Sequence, residues 1–341
     1  MGFDKYLKEF TGSESKTNSE NPLVSIIVIT YNSGNFVLET LESAKDQNYK
    51  NIELIISDDC SIDNTIDVIQ NWLEENSTRF IRTELITTRQ NTGIASNGNR
   101  GLQAAKGTWL KYIAGDDILR PACIKDCLDF ISTNQENIEC LFAQNKQFTN
   151  DQTIKINSSV IPNPDIDPFY RSVTAANDQY KMLLNVHKYW PLSTSSFFVK
   201  RDLMISLGGY DERYEYMEDL PLFLKILERG IKIYFLPKVT VLYRIHRNSV
   251  VRENSEKIKL NKFQVSKNQF IKDYILPRVP WSQKIRLMHE LFFDHLVLIS
   301  GNKGTVANFI DKIGINLNPI RLNWFKRKID SVFFRKQRSS D

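Results

Sequence analysis

Four short runs of apolar, β-branched residues alternate with segments of helical periodicity over the first 131 residues, and this alternation limits the chain to few folds. The expected strands are 25–30, 52–56, 80–87 and 109–114. Helical patterns follow them at 36–44, 63–72, 94–105 and 121–131. Continuous apolar runs are typical of strands buried on both faces of a parallel sheet. Repeated strand–helix units with short connections predict an α/β, doubly wound, mostly parallel sheet flanked by helices.

Polar and acidic residues follow three of these four strands. They are Thr30, Tyr31, Asn32, Asp58, Asp59, Asp116 and Asp117. In open α/β sheets ligands bind beyond the carboxyl ends of the strands, so these side chains are candidates for a binding site. Two acidic pairs at neighbouring strand ends repel each other unless a cation lies among them, and oxygen ligands favour Mg²⁺ or Mn²⁺ over zinc. The alternative is that the pairs are ordinary turn residues and helix N-caps.

Composition and missing signals exclude several classes of protein. The chain is 41% hydrophobic and 25% charged, which is unlike a disordered chain, a collagen or a disulfide scaffold. It contains neither Gly-x-Gly-x-x-Gly nor a P-loop motif. Because no apolar run reaches 18 residues and the leader 1–21 is polar, we expect neither a transmembrane helix nor a secretory signal. Four cysteines without an export signal predict reduced thiols and a cytoplasmic protein.

Basic residues are concentrated in the last quarter of the chain. Residues 251–341 contain 18 Lys and Arg against 8 Asp and Glu, and their pattern predicts a basic helical C-terminal extension. An apolar stripe at helical spacing, flanked by Lys and Arg, consists of Leu322, Phe325, Ile329, Val332 and Phe333. Such a helix fits an anionic membrane surface, which would make the protein peripheral at the inner face of the plasma membrane. Packing on the rest of the chain and an oligomer interface are the alternatives.

Several short motifs follow one another between residues 23 and 250 in an order that carries a family resemblance. In chain order they are SIIVITYN at 25–32, ELIISDDCSIDNT at 53–65, NTG at 91–93, Asn97, Asn99, Asp116-Asp117, GGYDE at 208–212, Glu218-Asp219 and YRIH at 243–246. Each motif alone is weak, but their number and order are specific. The chain resembles family 2 glycosyltransferases of the GT-A fold.

The resemblance implies a domain plan and an activity. A GT-A catalytic domain would span 22–250, with a nucleotide-sugar half at 22–120 and an acceptor half at 121–250, before the extension 251–341. The implied reaction transfers a sugar, with inversion, from a nucleotide-sugar to a hydroxyl of a glycan or lipid-linked acceptor in bacterial O-antigen or capsule synthesis. UDP-hexose is the favoured donor, with GDP- or dTDP-sugars as alternatives, and Mn²⁺ or Mg²⁺ is the implied cofactor.

The resemblance also implies roles for particular residues. The donor nucleotide would contact Thr30, Tyr31, Asn32, Asp58, Asp59, Asn91, Gly93, Asn97, Asn99 and Asp116. The metal ligands would be Asp116, Asp117 and His246, the diphosphate would meet Arg244, and the acceptor would meet Tyr189 and Trp190. Asp219 would be the general base and Glu218 would orient it or the acceptor. The alternative for Asp219 is an ordinary first-turn acid of a helix.

Two positions depart from the family pattern. Ala114 stands where a first Asp is common, which leaves two carboxylates in place of three, and Gly98 stands where an Arg often precedes the Asn. The first departure keeps open a catalytically silent sugar- or nucleotide-binding relative. A nucleic-acid-binding protein that uses the basic extension is less favoured, because no known nucleic-acid module accompanies it.

Overall fold

The computed structural model describes residues 21–154, 160–161, 175–185, 194–246 and 259–317. Contacts between Cα atoms divide the chain into two compact units, Met1–His246 and Arg247–Asp341. Residues 1–20 of the expected leader 1–21, the acceptor residues Tyr189 and Trp190, and the apolar stripe of the C-terminal tail lie outside the described residues. The expected domain boundaries at 120 and 250 stay predictions.

The first half of the sheet is the parallel one that the alternation predicts. Its strands are β1 (Val24–Thr30), β2 (Ile52–Asp58), β3 (Arg82–Thr87) and β4 (Trp109–Ala114). They lie in the order β3-β2-β1-β4, and every neighbouring pair is parallel. The intervening helices are α1 (Val37–Lys45), α2 (Thr65–Asn76) and α3 (Ile94–Ala104). All residues of β2 and all but one of β1 are buried, which is why both runs are mainly apolar.

The second half of the sheet mixes directions. Its strands are β5 (Ile118–Leu119), β6 (Cys140–Phe148), β7 (Val160–Ile161), β8 (Phe197–Lys200) and β9 (Tyr234–Arg244), with helices α4 (Cys123–Thr133), α5 (Ala176–Leu183), α6 (Arg201–Ser206) and α7 (Asp219–Glu228). The full order is β3-β2-β1-β4-β8-β6-β9-β5, with β7 paired to β6. β8 is antiparallel to both its neighbours, whereas β6 and β9 are parallel. The expected α/β class, with helices flanking one sheet, is confirmed.

β9 differs from the sequence pattern, which suggests separate strands at 231–235 and 239–245. The structure has one strand, and its pairing with β6 shifts register where Leu236 is followed by Val239 as the next paired residue. Pro237 lies in that irregularity, and proline cannot donate a backbone hydrogen bond to a neighbouring strand. The apparent break in the pattern is therefore a bulge within a continuous strand.

The second unit is helical where it is described. Its helices are α8 (Lys262–Phe270), continued by a π-helical turn Ile271–Ile275 and by Leu276–Arg278, then α9 (Trp281–Ile299) and α10 (Gly304–Asn316). Asn261 and Gln264 cap the start of α8 reciprocally. Leu260, Val297 and Ala307 form a small buried cluster. Among the described residues, no helix combines the length and the apolar character needed to cross a bilayer.

Candidate functional site

The carboxyl ends of β1 and β2 are joined by a buried hydrogen-bond network around Asp58. Its carboxylate accepts bonds from the Thr30 hydroxyl (2.7 Å) and from the Ser61 backbone (2.8 Å) and hydroxyl (2.6 Å). Asp58 is fully buried and Thr30 nearly so. This network anchors the loop after β2 to β1, as expected for residues on neighbouring parallel strands.

Asp59 is buried as well, and four donors within the chain surround its carboxylate. The backbone N–H groups of Thr92 (2.9 Å) and Gly93 (2.8 Å) bond one oxygen, and the Thr92 hydroxyl (2.8 Å) and Arg100 guanidinium (2.5 Å) bond the other. A carboxylate has about four lone-pair positions, so all of them are engaged. Asp59 therefore organises the loop before α3 and the Arg100 side chain.

Arg100 is a residue that sequence reasoning missed. The family pattern places an arginine at position 98, where this chain has Gly98. A Cβ atom at Gly98 would lie 2.8 Å from Cε2 of Tyr210, so the packing leaves no room for a side chain there. Arg100, two positions later, provides the guanidinium that reaches Asp59. The signal that could have found it is its place directly after Asn99.

The remaining expected donor residues surround this edge of the sheet, with one exception. Tyr31 is 48% exposed, and Asn32, which has φ of 51°, accepts a bond from the Ile62 backbone through its side chain (2.9 Å). Asn91 accepts from the Gly93 backbone (3.1 Å), and Asn97 donates to the Thr30 carbonyl (3.1 Å). Asn99 instead bonds the backbone N–H and carbonyl of Tyr210, so it ties α3 to the loop before α7.

The second acidic pair separates into an accessible and a buried carboxylate. Asp116 is partly exposed, and one of its oxygens lies 2.9 Å from Nε2 of His246. Asp117 is fully buried and accepts bonds from the Ser195 hydroxyl (2.7 Å) and the Arg244 backbone (2.9 Å). Burial, together with the neighbouring Asp116 charge, raises the pKa of Asp117 well above its usual range. The pair therefore presents one carboxylate, with an imidazole beside it.

Arg244, at the end of β9, is buried and not extended towards solvent. Its Nε donates to the Asp116 carbonyl (2.7 Å), and Nη2 lies 3.1 Å from a carboxylate oxygen of Glu39. The guanidinium lies over the rings of Phe36 and Phe148, at 5.0 and 4.4 Å from their centres. Nη1 has no hydrogen-bond partner among the described atoms. Arg244 thus supports the Asp116 backbone and keeps one donor unused.

The third acidic pair begins α7. Glu218 precedes the helix and Asp219 is its first residue, and both residues are half-buried. Burial, together with the neighbouring Glu218 charge, raises the pKa of Asp219 to about 8. Burial also raises the pKa of Glu218. A carboxyl whose pKa is raised by burial and by a neighbouring charge is a candidate for acid–base chemistry.

A single-turn helix, Thr194–Ser196, connects the second and third acidic pairs. The Thr194 hydroxyl donates to Glu218 (3.3 Å), and the Ser195 hydroxyl donates to Asp117 (2.7 Å). The Ser195 carbonyl accepts a bond from the amino group of Lys111, a buried lysine on β4. Sequence reasoning missed Thr194, Ser195 and Lys111, although the polar STSS run before a strand was a usable signal.

Tyr243, on β9, is close enough to the second and the third acidic pair for the charges of both to act on it. Burial raises the pKa of its hydroxyl, and so do the charges of both pairs, Asp116 with Asp117 and Glu218 with Asp219. The structure therefore brings together acids that are about 100 positions apart in the sequence. They form one polar site beside the ends of β4 and β9.

A divalent ion fits only part of the expected ligand set. Among the described residues no three His, Cys, Asp or Glu side chains are arranged around one metal position. Asp116 and His246 are close together and accessible, whereas both oxygens of Asp117 are engaged. Mg²⁺ and Mn²⁺ are commonly held by one or two protein ligands together with substrate phosphates. Asp116 and His246 therefore fit such a site.

Comparisons with known proteins agree with this architecture. The sequence profile described as "Glycosyl transferase family 2" matches residues 25–198. Chondroitin synthase of Pasteurella multocida is 29% identical over 246 residues, which cover 72% of this chain and 23% of that protein. The Escherichia coli protein named UDP-Glc:alpha-D-GlcNAc-diphosphoundecaprenol beta-1,3-glucosyltransferase WfaP is 30% identical over 230 residues, 67% of this chain and 79% of that one. The chain thus spans less than a quarter of the Pasteurella relative.

Solved structures share the fold at low sequence identity. Residues 1–349 of S. aureus TarS, in complex with UDP-GlcNAc, superpose with a TM-score of 0.55 at 17% identity, over 80% of this chain and 72% of that one. The mannosyltransferase PcManGT from Pyrobaculum calidifontis, in complex with GDP-Man and Mn²⁺, gives 0.50 at 17% identity, over 89% and 83%. By its sequence matches the chain belongs to family 2 of the glycosyltransferases, and it has their GT-A fold.

Proposed function

We propose that the chain is an inverting glycosyltransferase that moves a sugar from a UDP-hexose to a hydroxyl of a glycan or lipid-linked acceptor in surface polysaccharide synthesis. The observation that carries the proposal is the meeting of two acidic pairs at one site, joined by the turn Thr194–Ser196. The pair Asp116-Asp117 would act on the leaving diphosphate, and the pair Glu218-Asp219 would act on the attacking hydroxyl. The names of the relatives support the donor and the polysaccharide acceptor.

The donor nucleotide would bind beyond β1 and β2. Tyr31 and Asn32 are exposed there and can contact the base and ribose. Asp59 would accept a hydrogen bond from the base edge in place of one of its four bonds within the chain. The bond from Arg100 is the one expected to be replaced, because that donor has a flexible side chain. The buried Asp58 holds the loop in place. The choice of UDP over GDP or dTDP rests on the relatives and is tested below.

The diphosphate would lie beside Asp116 and His246. These two residues would hold Mn²⁺ or Mg²⁺, which supplies positive charge to the departing diphosphate. The unused N–H of Arg244 points to a further phosphate contact, once the Glu39 side chain turns towards solvent. Asp117 would hold the loop after β4 in place, because it accepts hydrogen bonds from the Ser195 hydroxyl and the Arg244 backbone.

Asp219 is the proposed general base. Inversion requires the acceptor hydroxyl to attack from the side of the sugar opposite the diphosphate, so the base and the metal ligands belong on different elements. Asp219 begins α7, whereas Asp116 follows β4. The raised pKa makes the ionised carboxylate a stronger base than an ordinary Asp. Glu218, fixed by Thr194, would orient the acceptor.

The pH dependence of turnover and of stability should have opposite signs. Asp219 must be ionised to act as base, so kcat/KM should rise about tenfold per pH unit and level off near the pKa of about 8. The folded protein keeps a proton on Asp219 that the unfolded chain releases near 3.8, so stability should fall as pH rises between these values. Melting curves of wild type and Asp219→Asn across this range check the second part. A pH slope that is equal in both proteins would contradict it.

Variants in the turn Thr194–Ser196 should affect turnover and donor binding separately. Thr194→Val removes the bond to Glu218 and should lower kcat while the affinity for UDP stays unchanged. Ser195→Ala frees a buried oxygen of Asp117 and should weaken metal-dependent UDP binding. Each loss should be about tenfold, which corresponds to the net contribution of one hydrogen bond. Steady-state kinetics and UDP titrations check the split, and the conservative variants Thr194→Ser and Ser195→Thr should restore most of each loss. Equal effects of both variants on both quantities would contradict separate roles.

A thermal-shift screen tests the function directly. UDP, GDP, dTDP and CDP are each added with Mn²⁺ and with EDTA, because a ligand that binds the folded state raises its melting temperature. We expect the largest shift with UDP and its loss in EDTA. A UDP-hexose panel then identifies the sugar through release of UDP. A flat response from folded protein to all four nucleotides would overturn the proposal, and binding without UDP release would favour the silent relative.

A further inference from the structure

The outer face of α9 carries large apolar side chains that the described structure leaves exposed. They are Trp281 (69% exposed), Ile285 (45%), Met288 (50%), Phe292 (57%) and Ile299 (68%). Their spacing of four, three, four and seven residues places them on one side of the helix, which we call the apolar face of α9. Scattered apolar residues are normal on protein surfaces, but a continuous stripe along a whole helix indicates an interaction surface.

The acidic residues of α9 do not lie on its exposed face, whereas an ordinary surface helix carries its charged residues there. Its two acids lie on the inner side, where Asp294 accepts a bond from Asn268 of α8 (2.7 Å) and Glu290 pairs with Arg286 (3.2 Å). Helical spacing places no Asp or Glu on the apolar face itself, whereas Lys284 and His295 lie at its margin. The helix therefore turns its negative charges inward and presents apolar side chains outward, with the Lys284 cation at their margin.

The neighbouring helix continues the same surface chemistry. Val306 and Phe309 of α10 are 62% and 64% exposed. Within the described ranges, Lys284, Lys303 and Lys312 make no ion pair, whereas Asp311 pairs with Lys259 (3.2 Å). The α9–α10 hairpin thus combines exposed aromatic residues with unmatched cations. Such a combination is typical of segments that lie in the interface of an anionic bilayer.

We propose that the apolar face of α9 binds the surface of an anionic lipid bilayer, with Trp281 and Phe292 inserted among the headgroups. Charge argues against two other occupants. In a symmetric dimer this face would meet its own copy, which offers no Asp or Glu on this face to pair with Lys284. The C-terminal tail 318–341 is itself basic, with 7 Lys and Arg against 2 Asp and Glu, so it lacks the acids that the margin would attract.

Flotation of the full chain with lipid vesicles tests the proposal. We expect binding to phosphatidylcholine vesicles that contain phosphatidylglycerol, weaker binding without the anionic lipid, and a decrease at high salt. Phe292→Glu should weaken binding about tenfold or more, because it removes an aromatic ring that would be buried in the bilayer and adds a negative charge. The matched control is Ile81→Glu, which changes a similarly exposed apolar residue of the first unit (66%, against 57% for Phe292). This variant should bind as wild type does. Both variants should keep the UDP-dependent thermal shift, which separates this proposal from the glycosyltransferase proposal.

A second measurement does not depend on the tail. Lipids brominated along their acyl chains quench tryptophans that enter the bilayer, so they should quench wild type more than Trp281→Phe. Equal binding of Phe292→Glu and Ile81→Glu, or equal quenching of wild type and Trp281→Phe, would overturn the proposal. So would a dimer, measured by light scattering, that Phe292→Glu dissociates while vesicle binding persists, because it would assign the face to a second copy of the chain.

Discussion

Asp219→Asn is expected to lower kcat about 100- to 10,000-fold while UDP still binds, because an amide cannot accept the proton of the acceptor hydroxyl. The amide has nearly the shape of the carboxyl and can keep accepting the bond from the Leu220 backbone (2.7 Å). Burial of the charge raises the pKa of Asp219 to about 8, so a neutral side chain should leave the melting temperature at neutral pH unchanged or higher. Kinetics with a UDP-sugar and the UDP thermal shift measure the two properties on the same sample.

The matched control for this variant is Asp202→Asn. Asp202 also lies in the first turn of a helix, α6, but its side chain is 95% exposed and outside the site. It should transfer sugar as wild type does. If Asp219→Asn retained wild-type turnover, Asp219 would be an ordinary first-turn acid and the base would have to be sought elsewhere, first at Glu218. If it lost UDP binding together with turnover, the two acidic pairs would not have separate tasks.

Asp116→Asn should have a different signature, in which metal-dependent donor binding is lost together with turnover. The variant keeps the size of the side chain and can still contact His246, but it removes the only accessible carboxylate of its pair. Loss of one charged metal ligand should reduce turnover about 100-fold or more, since a metal stabilises a departing anion by several kcal/mol. The measurement is the UDP thermal shift as a function of Mn²⁺ concentration.

Two further variants serve as controls for this result. His246→Gln should weaken the Mn²⁺ response as Asp116→Asn does, because it removes the other accessible metal ligand. Asp202→Asn should leave the Mn²⁺ response unchanged. A wild-type Mn²⁺ response in Asp116→Asn would contradict the assignment. It would move the metal to Asp117, whose carboxylate would then have to release the Ser195 hydroxyl.

The parallel half of the sheet could be predicted from the sequence because each of its strands corresponds to a short run of consecutive residues with a recognisable pattern. A strand buried on both faces is mainly apolar, and such a run is visible in the sequence. β4 has the expected bounds, while β1 and β2 differ from theirs by at most two residues. β6 was not recognised, although it lies between β8 and β9. Its second half, QNKQF, is polar, and its partners β8 and β9 are more than 50 residues away in the sequence.

The sequence by itself determined the fold class, the family and the edge of the sheet where acidic residues collect, because these follow from local periodicity and from motif order. Only the tertiary structure decided which carboxylates are available. Asp58, Asp59 and Asp117 are buried and engaged by other parts of the chain, whereas Asp116 and Asp219 keep access to solvent. The tertiary structure also decided which residues bond these carboxylates. Arg100 bonds Asp59 and Ser195 bonds Asp117, across 41 and 78 positions of the sequence. Burial and hydrogen bonding across such distances depend on how strands and turns pack, and no local pattern records them.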